Sequence, residues 1–263
     1  MSEKLGALIG IGNTADVFDF GLGKVAKLFH SGYPLASIRK EFENSRLLNS
    51  LDVLTPKCYE LFHLEDRVGI IYDKIFGVSL LDLIQQTRDV NQYAVILADI
   101  HKKILRQHLP SAEPAKMILR RNIEHTAVLT EQQKLKLYEI LDVLPEDHCF
   151  CHGDFHFGNI LYAQDQYYLI DFMNVCQGHP YYDIARTVYL TEFTPVPAEI
   201  PDPDTFLQLK RQATAIYLQA MAMSRESLTP WLTVIAAARL YELRQPQILE
   251  RNTALQYLAA NGI

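Results

Sequence analysis

One segment in the middle of the chain constrains the fold more than any other, because it sets polar side chains between apolar, strand-like stretches. It covers residues 151–161 (CHGDFHFGNIL), and residues 169–172 (LIDF) follow shortly after it. A protein buries such polar groups only where hydrogen bonds or a ligand satisfy them. The pattern therefore predicts a loop that carries chemistry and is held between short strands.

The order of the acidic and amide side chains in this segment fits a phosphoryl-transfer site. In such a site one aspartate accepts the proton of the attacking hydroxyl, while an asparagine and a second aspartate hold Mg²⁺ against nucleotide phosphates. Asp154 and Asn159 are five residues apart, so that both can reach out from one loop, and Asp171 ends a strand across a short hairpin. We assign Asp154 as the catalytic base and Asn159 and Asp171 as metal ligands.

A site of this kind also needs a cation and a backbone loop near the phosphates, and the N-terminal part of the chain offers both. Lys27 lies on a predicted strand that directly follows a hairpin. Gly10 and Gly12 lie upstream, in a loop where the missing side chains let the backbone approach a phosphate. We assign all three residues to nucleotide binding.

The helix predicted over residues 37–51 offers Glu41 and Glu43 as partners for Lys27. Because these two side chains point about 200° apart on a helix, only one of them can face the lysine. We expect Glu41 to do so, since it shares the side of the helix that carries Ile38.

Strand-like segments dominate the first part of the chain, and helix-like periodicity begins after Gly77. Alternating apolar residues predict strands over 8–11, 16–20, 24–29, 58–64 and 68–75. Helices are predicted from Asn91, from a capping box at Thr130, over 205–223 and over 231–243. We therefore expect an α+β chain with a strand-rich nucleotide-binding lobe over residues 1–76 and a mainly helical lobe over residues 77–263.

Composition and charge exclude several other classes of protein. Hydrophobic residues make up 49% of the chain, enough for a core, and the formal net charge of −6 disfavours nucleic-acid binding. No apolar run reaches the ~18 residues that a membrane helix needs, and no signal peptide is expected. The four cysteines are too few for a disulfide scaffold, and Cys149 and Cys151 lack zinc-finger spacing. We expect a cytoplasmic protein with neither nucleic acid nor membrane as a partner.

Together these motifs resemble the aminoglycoside phosphotransferase family of the protein-kinase-like fold, which also includes choline, ethanolamine and other small-molecule kinases. The resemblance rests on His-Gly-Asp-x-x-x-x-Asn at residues 152–159 and Ile-Asp-Phe at residues 170–172, and it covers residues 8–190. It implies a bilobal fold that uses ATP (or GTP) and Mg²⁺ to phosphorylate a hydroxyl group of a small molecule.

The resemblance also implies roles for further residues. Lys27 would hold the α- and β-phosphates with Glu41 as its ion-pair partner. The backbone around Asp73 and Ile75 would bind the adenine, and Asp183 would brace the catalytic loop. The glycine loop departs from the family pattern, since Ala15 stands where a third glycine is expected.

An acidic, proline-rich stretch indicates one property of the acceptor. Residues 187–209 contain no lysine or arginine. The acidic residues of this stretch are Glu192, Glu199, Asp202 and Asp204. Such a segment favours an amine-bearing acceptor, and a solvated connector between helices is the alternative.

Two other functions stay open at this stage. His152, Asp154, His156 and Asp171 could be the ligands of a metal-dependent hydrolase, which would explain His156 but leave Lys27 without a role. The chain could also be a nucleotide-binding module without catalytic activity.

Overall fold

A computed structural model describes residues 5–197, 200–243 and 247–263. The strands in these ranges are β1 (Leu8–Ile11), β2 (Ala15–Asp19), β3 (Lys24–Phe29), β4 (Cys58–Leu64), β5 (Arg67–Asp73), β6 (Val78–Ser79), β7 (Cys149–Cys151), β8 (Ile160–Ala163), β9 (Gln166–Leu169) and β10 (Cys176–Gly178). The α-helices are α1 (Leu35–Leu47), α2 (Leu80–Thr87), α3 (Val90–Ile104), α4 (Ala115–His125), α5 (Glu131–Val143), α6 (Pro180–Glu192), α7 (Pro203–Ala220), α8 (Arg225–Glu242) and α9 (Ile248–Ala260). None of the helices in the described ranges is both long enough and apolar enough to cross a bilayer.

The chain forms two compact units that do not follow the sequence order strictly. The first unit extends to Leu83 and also includes Phe157–Val175, and the second comprises Ile84–His156 and Cys176–Ile263. The loop that carries Asp154 thus belongs to the second unit, whereas Asn159 and Asp171 belong to the first. The division into functional lobes at residues 1–76 and 77–263 stays a prediction.

The first unit contains a five-stranded antiparallel sheet in the order β1-β2-β3-β5-β4. Gly21 and Gly23 adopt φ values of 71° and 73° in the turn between β2 and β3, which glycine does without a Cβ clash. Lys27 pairs with Val17 on one side and with Ile70 on the other, so it lies on the central strand.

Helix α1 packs against this sheet, and its buried face includes Ile38 and Glu41. The structure ends the α-helix at Leu47 and continues it as a 3₁₀ turn over Leu48–Ser50, close to the predicted end. The core under the helix consists of Ala15, Phe29, Ile38, Cys58, Ile70 and Tyr72. Burial in this core fixes which face of α1 meets the sheet.

A three-stranded sheet in the order β6-β8-β9 completes the first unit. Gln164 and Asp165 connect β8 to β9 and adopt φ values of 50° and 59°, as the two central residues of a type I′ hairpin turn do. The hairpin pairs Ile160 with Leu169, and the N–H of Ile170 donates to the carbonyl of Asn159 at 3.1 Å. Asn159 and Asp171 are therefore carried by the same end of one hairpin.

The second unit is mainly helical and has α8 at its centre. Ten of the helix's residues are buried, and α8 contacts α4, α5, α6 and α9. The prediction placed the start of this helix at Trp231, but it begins at Arg225, with Pro230 inside it and Ser224 as its N-cap. The hydrophobic periodicity of this sequence is weak because the helix is apolar on nearly all sides, and it therefore does not mark where the helix begins.

The starts of two helices show how far capping residues in the sequence predict where a helix begins. Thr130 and Gln133 form the predicted capping box of α5. Helix α3 was predicted to begin at Asn91, but Asp89 is its N-cap and accepts a hydrogen bond from the N–H of Gln92 at 3.0 Å. The short strands β7 and β10 pair antiparallel beside the helices, with Cys151 opposite Cys176.

Candidate active site

Lys27 lies between two carboxylates of the first unit. Its Nζ donates to Oε1 of Glu41 at 2.7 Å and to Oδ1 of Asp171 at 3.0 Å. The side chain of Glu41 is 1% exposed and that of Lys27 is 16% exposed, whereas Asp171 is 40% exposed. The lysine therefore joins a buried acidic residue on α1 to an accessible one after β9, while Glu43 is exposed.

The charges of this cluster reinforce each other. Burial alone would lower the pKa of Lys27, but the carboxylates of Glu41 and Asp171 outweigh it and raise the pKa above its ordinary value. Burial raises the pKa of Glu41, and the positive charge of Lys27 opposes that rise. Lys27 is thus a fixed positive charge, which is the chemical requirement for holding phosphate oxygens.

Tyr72 and Ser45 hold the carboxylate of Glu41 in place. The hydroxyl of Tyr72 donates to Oε1 of Glu41 at 3.2 Å and lies 2.9 Å from the hydroxyl of Ser45. The Ser45 hydroxyl donates to the carbonyl of Glu41 one helical turn earlier. No sequence pattern predicts this support, because Tyr72 lies on β5, 31 residues from Glu41.

Asp171 adopts an unusual backbone conformation. Its φ is 68°, in the left-handed region that residues other than glycine rarely adopt. The interactions that hold the segment include the ion pair to Lys27 and a hydrogen bond from Nδ2 of Asn44 to the carbonyl of Phe172 at 2.8 Å. Left-handed residues of this kind cluster at functional sites, where the surrounding structure holds the strain.

The hairpin of β8 and β9 supplies a donor set that suits Mg²⁺. It carries the amide of Asn159, which is buried, and the carboxylate of Asp171, which is not. Both groups offer oxygen atoms, the ligands that Mg²⁺ prefers. These two residues fit the predicted metal ligands in chemistry and in their place on the hairpin.

In the second unit, the loop that carries Asp154 is built around the buried carboxylate of Asp183. Asp183 accepts hydrogen bonds from the N–H of His152 at 2.7 Å and of Gly153 at 2.8 Å. Gly153 has a φ of 74°, which explains the glycine at this position. Nε2 of His101 lies 3.1 Å from the same carboxylate. Asp183 thus fixes the backbone immediately before Asp154, the structural role that the resemblance implied.

The pKa of Asp183 reflects these bonds. Burial alone would raise it, but the hydrogen bond to His101, the charges of His101 and His152 and the N–H of Gly153 outweigh burial and lower it below its ordinary value. The carboxylate is therefore ionised wherever the fold is intact near neutral pH, and it continues to accept both backbone bonds.

A partly buried ionic network supports the same loop. Nε of Arg186 donates to the carbonyl of Gly153 at 2.8 Å, and its Nη2 donates to Glu242 at 2.9 Å. Glu242 also accepts from Arg239, which in turn donates to Glu250 on α9. Sequence reasoning missed this network, since its members lie on three helices and form no motif.

His156 lies close to Asp154 in this unit, with Nε2 3.8 Å from Oδ2 of the aspartate. The hydrolase alternative requires His152, Asp154, His156 and Asp171 to be metal ligands. Among the described residues, however, the group of His, Cys, Asp and Glu side chains close enough together to hold a metal includes none of these four. The structure therefore does not favour that alternative.

The predicted glycine loop joins β1 to β2. Gly10 lies within β1, where an added Cβ would meet only ordinary contacts with Val17 at 3.5 Å. At Gly12 a Cβ would lie 2.9 Å from the carbonyl oxygen of Ala15, to which the N–H of Gly12 donates. Gly12 is thus the glycine that this turn requires.

Asp73 ends β5 opposite Lys24, and Ile75 follows the strand. The carboxylate of Asp73 accepts from the hydroxyl of Tyr59 at 2.7 Å and from the N–H of Lys57 at 3.3 Å. Since the side chain of Asp73 has partners on β4, a ligand role for this residue falls to its backbone.

The acidic stretch is partly used by the fold itself. Both oxygens of Glu192 pair with the guanidinium of Arg225, at 2.8 and 2.7 Å. Asp202 is the N-cap of α7 and accepts from the N–H of Thr205. Asp204 is exposed, and Glu199 lies outside the described residues. Two of the four acidic residues therefore have structural partners, which weakens the argument for an amine-binding function of the whole stretch.

Solved structures with the same fold support the α+β, protein-kinase-like prediction. One is a thermostable mutant of aminoglycoside phosphotransferase APH(4)-Ia in a ternary complex with AMP-PNP and hygromycin B, which is 14% identical over 97% of this chain and 91% of that chain, with a TM-score of 0.70. Another is the amicoumacin kinase hAmiN with AMP-PNP, Ca²⁺ and its ligand Ami, 13% identical over 99% and 89% of the two chains, with a TM-score of 0.63.

A third is a choline/ethanolamine kinase family protein from Mesorhizobium loti, which is 12% identical over 97% of this chain and 86% of that chain, with a TM-score of 0.58. At these identities the likeness shows the fold. No curated protein matches the sequence at a significant level.

The sequence itself matches a family model. The model describes the phosphotransferase enzyme family (APH), and the match covers residues 6–204, which include the motifs at residues 152–159 and 170–172. This finding confirms the resemblance inferred from those motifs. Because the match spans more than half of the 263 residues, the chain belongs to the phosphotransferase enzyme family.

Proposed function

We propose that the protein transfers the γ-phosphate of ATP, in the presence of Mg²⁺, to a hydroxyl group of a small molecule. The observation that carries this proposal is the position of Lys27 between Glu41 and Asp171, at 2.7 and 3.0 Å. A partly buried lysine that is held by a helix carboxylate and reaches a second, more exposed carboxylate matches the arrangement that phosphoryl transfer requires in kinases.

Within the first unit, we assign the nucleotide to the sheet and the hairpin. Lys27 binds the α- and β-phosphates, and Glu41 orients its ammonium group. Asn159 and Asp171 hold Mg²⁺, which when bound neutralises charge on the phosphates. The backbone around Gly10 and Gly12 would lie close to the phosphates, because neither glycine carries a side chain. The backbone at Asp73 and Ile75 would bind the base.

Within the second unit, Asp154 is the group that we assign to the acceptor. Its carboxylate would orient the attacking hydroxyl and accept its proton as the bond from that oxygen to the γ-phosphorus forms and the bond from the phosphorus to the leaving ADP breaks. Asp183 and Arg186 hold the backbone of the preceding glycine and thereby fix the position of Asp154. Catalysis of this type depends mainly on positioning and on charge stabilisation.

We propose that the acceptor is a small hydroxylated molecule and that it also carries an amine group. Similar structures include an aminoglycoside phosphotransferase with hygromycin B and a choline/ethanolamine kinase family protein. The net charge of −6 also favours a cationic acceptor over an anionic one. A thermal-shift screen with Mg-ATP present, across amines, sugars and antibiotics, would identify the acceptor because bound ligands raise the apparent stability.

Nucleotide binding is the first test. Calorimetric titration of the purified protein with Mg²⁺ and a non-hydrolysable ATP analogue should show one site per chain, and GTP analogues measure the preference of the base site. Asp171→Asn should weaken Mg-dependent binding by about tenfold or more. Asp165→Asn, in the turn of the same hairpin, is the matched control and should bind normally. Equal binding by both variants, or none by the wild type, would refute the assignment.

A further inference from the structure

A second group of potential ligands lies in the second unit, at the start of β7. The imidazole of His108, the carboxylate of Asp147 and the thiol of Cys149 place their donor atoms within 4.8 Å of one another. None of these residues has a role in the proposed phosphoryl transfer. The group combines three different donor types, nitrogen, oxygen and sulfur.

The backbone explains why His108 and Cys149 meet. They are opposite each other in an isolated antiparallel bridge. The flanking backbone hydrogen bonds, of 2.9 and 2.8 Å, join the residues on either side of this pair, which makes it a non-hydrogen-bonded pair. In such a pair the Cα atoms lie about 4.5 Å apart and the side chains stand close together on one face.

Asp147 joins this face from the segment that leads into β7. It precedes Cys149 by two residues, and alternate residues of an extended chain share a face. Its Oδ1 accepts a hydrogen bond from the N–H of His148 at 2.7 Å, which fixes the carboxylate near the backbone. The thiol of Cys149, whose pKa burial raises, lies close enough to the same carboxylate for its charge to raise that pKa further. Three donors thus converge on one point through local backbone geometry.

The three residues differ in their exposure to solvent. His108 and Asp147 are exposed, whereas Cys149 is 5% exposed. An ion can therefore approach from solvent over the imidazole and the carboxylate and meet the thiol at the base of the site. An arrangement with two accessible ligands and one buried ligand needs no opening of the fold.

We propose that His108, Asp147 and Cys149 bind a Zn²⁺ ion. Zinc takes thiolate, imidazole and carboxylate ligands in tetrahedral geometry, and three protein ligands leave the fourth position for water. A thiolate selects against Mg²⁺ and Ca²⁺, which prefer oxygen. The site would therefore discriminate against the magnesium that the proposed reaction uses.

Binding includes one proton transfer. Burial and the carboxylate of Asp147 raise the pKa of the Cys149 thiol to about 11, so the metal-free residue is a thiol at neutral pH. As the sulfur–zinc bond forms, the sulfur–hydrogen bond breaks and the proton leaves to solvent. No oxidation or reduction takes place.

The position of the site gives it a structural consequence. Cys149 is the first residue of β7, which leads through Cys151 to the loop at Asp154, and it pairs with Gly178 of β10. Zinc would tie the segment around His108 to this strand. We therefore expect the metal to stabilise the unit, since a ligand that binds only the folded chain raises its melting temperature.

The test uses metal-free wild-type protein and three histidine or aspartate variants. Zn²⁺ is titrated in competition with a chromophoric chelator, and Co²⁺ is used as a spectroscopic substitute for zinc. His108→Ala and Asp147→Asn remove exposed ligands, so both should fold, which melting of the metal-free proteins verifies. His125→Ala removes an exposed histidine of α4 outside the group and is the control.

We expect one Zn²⁺ per wild-type chain and a Co²⁺ complex with thiolate-to-cobalt absorption in the near ultraviolet. His108→Ala and Asp147→Asn should each weaken zinc binding by at least about tenfold, as losses in the outer shell of metal sites already do. Zinc should raise the melting temperature of wild type and His125→Ala only. Equal binding by wild type and His108→Ala, or a Co²⁺ spectrum without thiolate absorption, would overturn the proposal. These readouts do not depend on phosphoryl transfer.

Discussion

Lys27 and Asp171 are 144 residues apart in the sequence, and their Nζ and Oδ1 atoms are 3.0 Å apart in the fold. The strand that carries the lysine and the hairpin that precedes the aspartate belong to the same compact unit. Each ion of a partly buried pair loses hydration, which offsets much of what the contact adds to stability. Because the chain belongs to a phosphotransferase family, we infer that Lys27 and Asp171 act together in nucleotide binding.

Replacing Lys27 should remove phosphoryl transfer. We expect Lys27→Ala to lower kcat by about 100-fold or more, since it deletes a charge that stabilises the phosphates. It should also destabilise the fold by about 3 kcal/mol, because Glu41 loses its buried partner. Steady-state kinetics and denaturant unfolding measure the two effects.

The matched control for this change is Lys24→Ala on the same strand. The ammonium of Lys24 lies over the ring of Tyr59, 4.2 Å from its centroid, and not in the Lys27 cluster. Its replacement should leave kcat within about twofold. A comparable loss of kcat in both variants would show that activity depends on the integrity of the strand and not on the contacts of Lys27.

The two glutamates of α1 should differ sharply. Glu41→Gln keeps the shape of the buried side chain but removes the charge that orients Lys27, so kcat should fall by at least about tenfold. Glu43→Gln changes an exposed residue two positions away and should have no effect. Normal turnover in Glu41→Gln would contradict the role that we assign to this pair.

Glu242 should make stability depend on pH in the acid range. Burial alone would raise its pKa, but Arg186 and Arg239 outweigh burial and lower the pKa from 4.5 to about 2. A carboxyl whose pKa is lowered by folding stabilises the fold at pH values above its unfolded pKa, and this contribution disappears as the pH falls toward 2. The shift corresponds to about 3 kcal/mol at neutral pH.

Glu242→Gln tests this contribution directly. Its unfolding free energy should lie about 3 kcal/mol below that of the wild type at pH 7, and the difference should shrink between pH 4.5 and pH 2. Glu139→Gln on the exposed side of α5 serves as the control. A difference that stays constant with pH would show that the ionic network does not supply the stability.

Replacing Asp183 should slow catalysis without changing the affinity for the nucleotide. Asp183→Asn places an amide N–H₂ group among the donors from His152 and Gly153, so the loop before Asp154 loses its support. We expect kcat to fall by at least about tenfold while the Kd for Mg-nucleotide, whose proposed ligands lie in the other unit, stays within twofold. Calorimetry and kinetics on the same preparation separate the two. A parallel loss of nucleotide affinity would contradict this assignment.

The sequence was most informative where chemistry and local pattern coincide. Residues 152–159 and 170–172 led to the family that the family model confirms. The predicted strand at Lys24–Phe29 has the observed bounds, because its alternating pattern follows a glycine turn. The capping box at Thr130 is likewise present, since its two side chains bond locally.

Features that depend on distant partners could not be predicted in this way. Helix α6 is buried over most of its length, so it shows no amphipathic period, and it was not predicted. The support of Glu41 by Tyr72 and the Arg186–Glu242 pair arise only when separate elements pack. The residue type does not mark the left-handed backbone of Asp171, because aspartate adopts this region more often than most residues but still has a negative φ at most positions.

The most direct test of the account is transfer of the γ-phosphoryl group from labelled Mg-ATP to a small-molecule acceptor found in the thermal-shift screen. Wild-type protein should form one phosphorylated acceptor per ATP consumed. Asp154→Asn should bind the nucleotide as the wild type does but transfer at least about 100-fold more slowly. Wild-type turnover by Asp154→Asn would contradict the central claim.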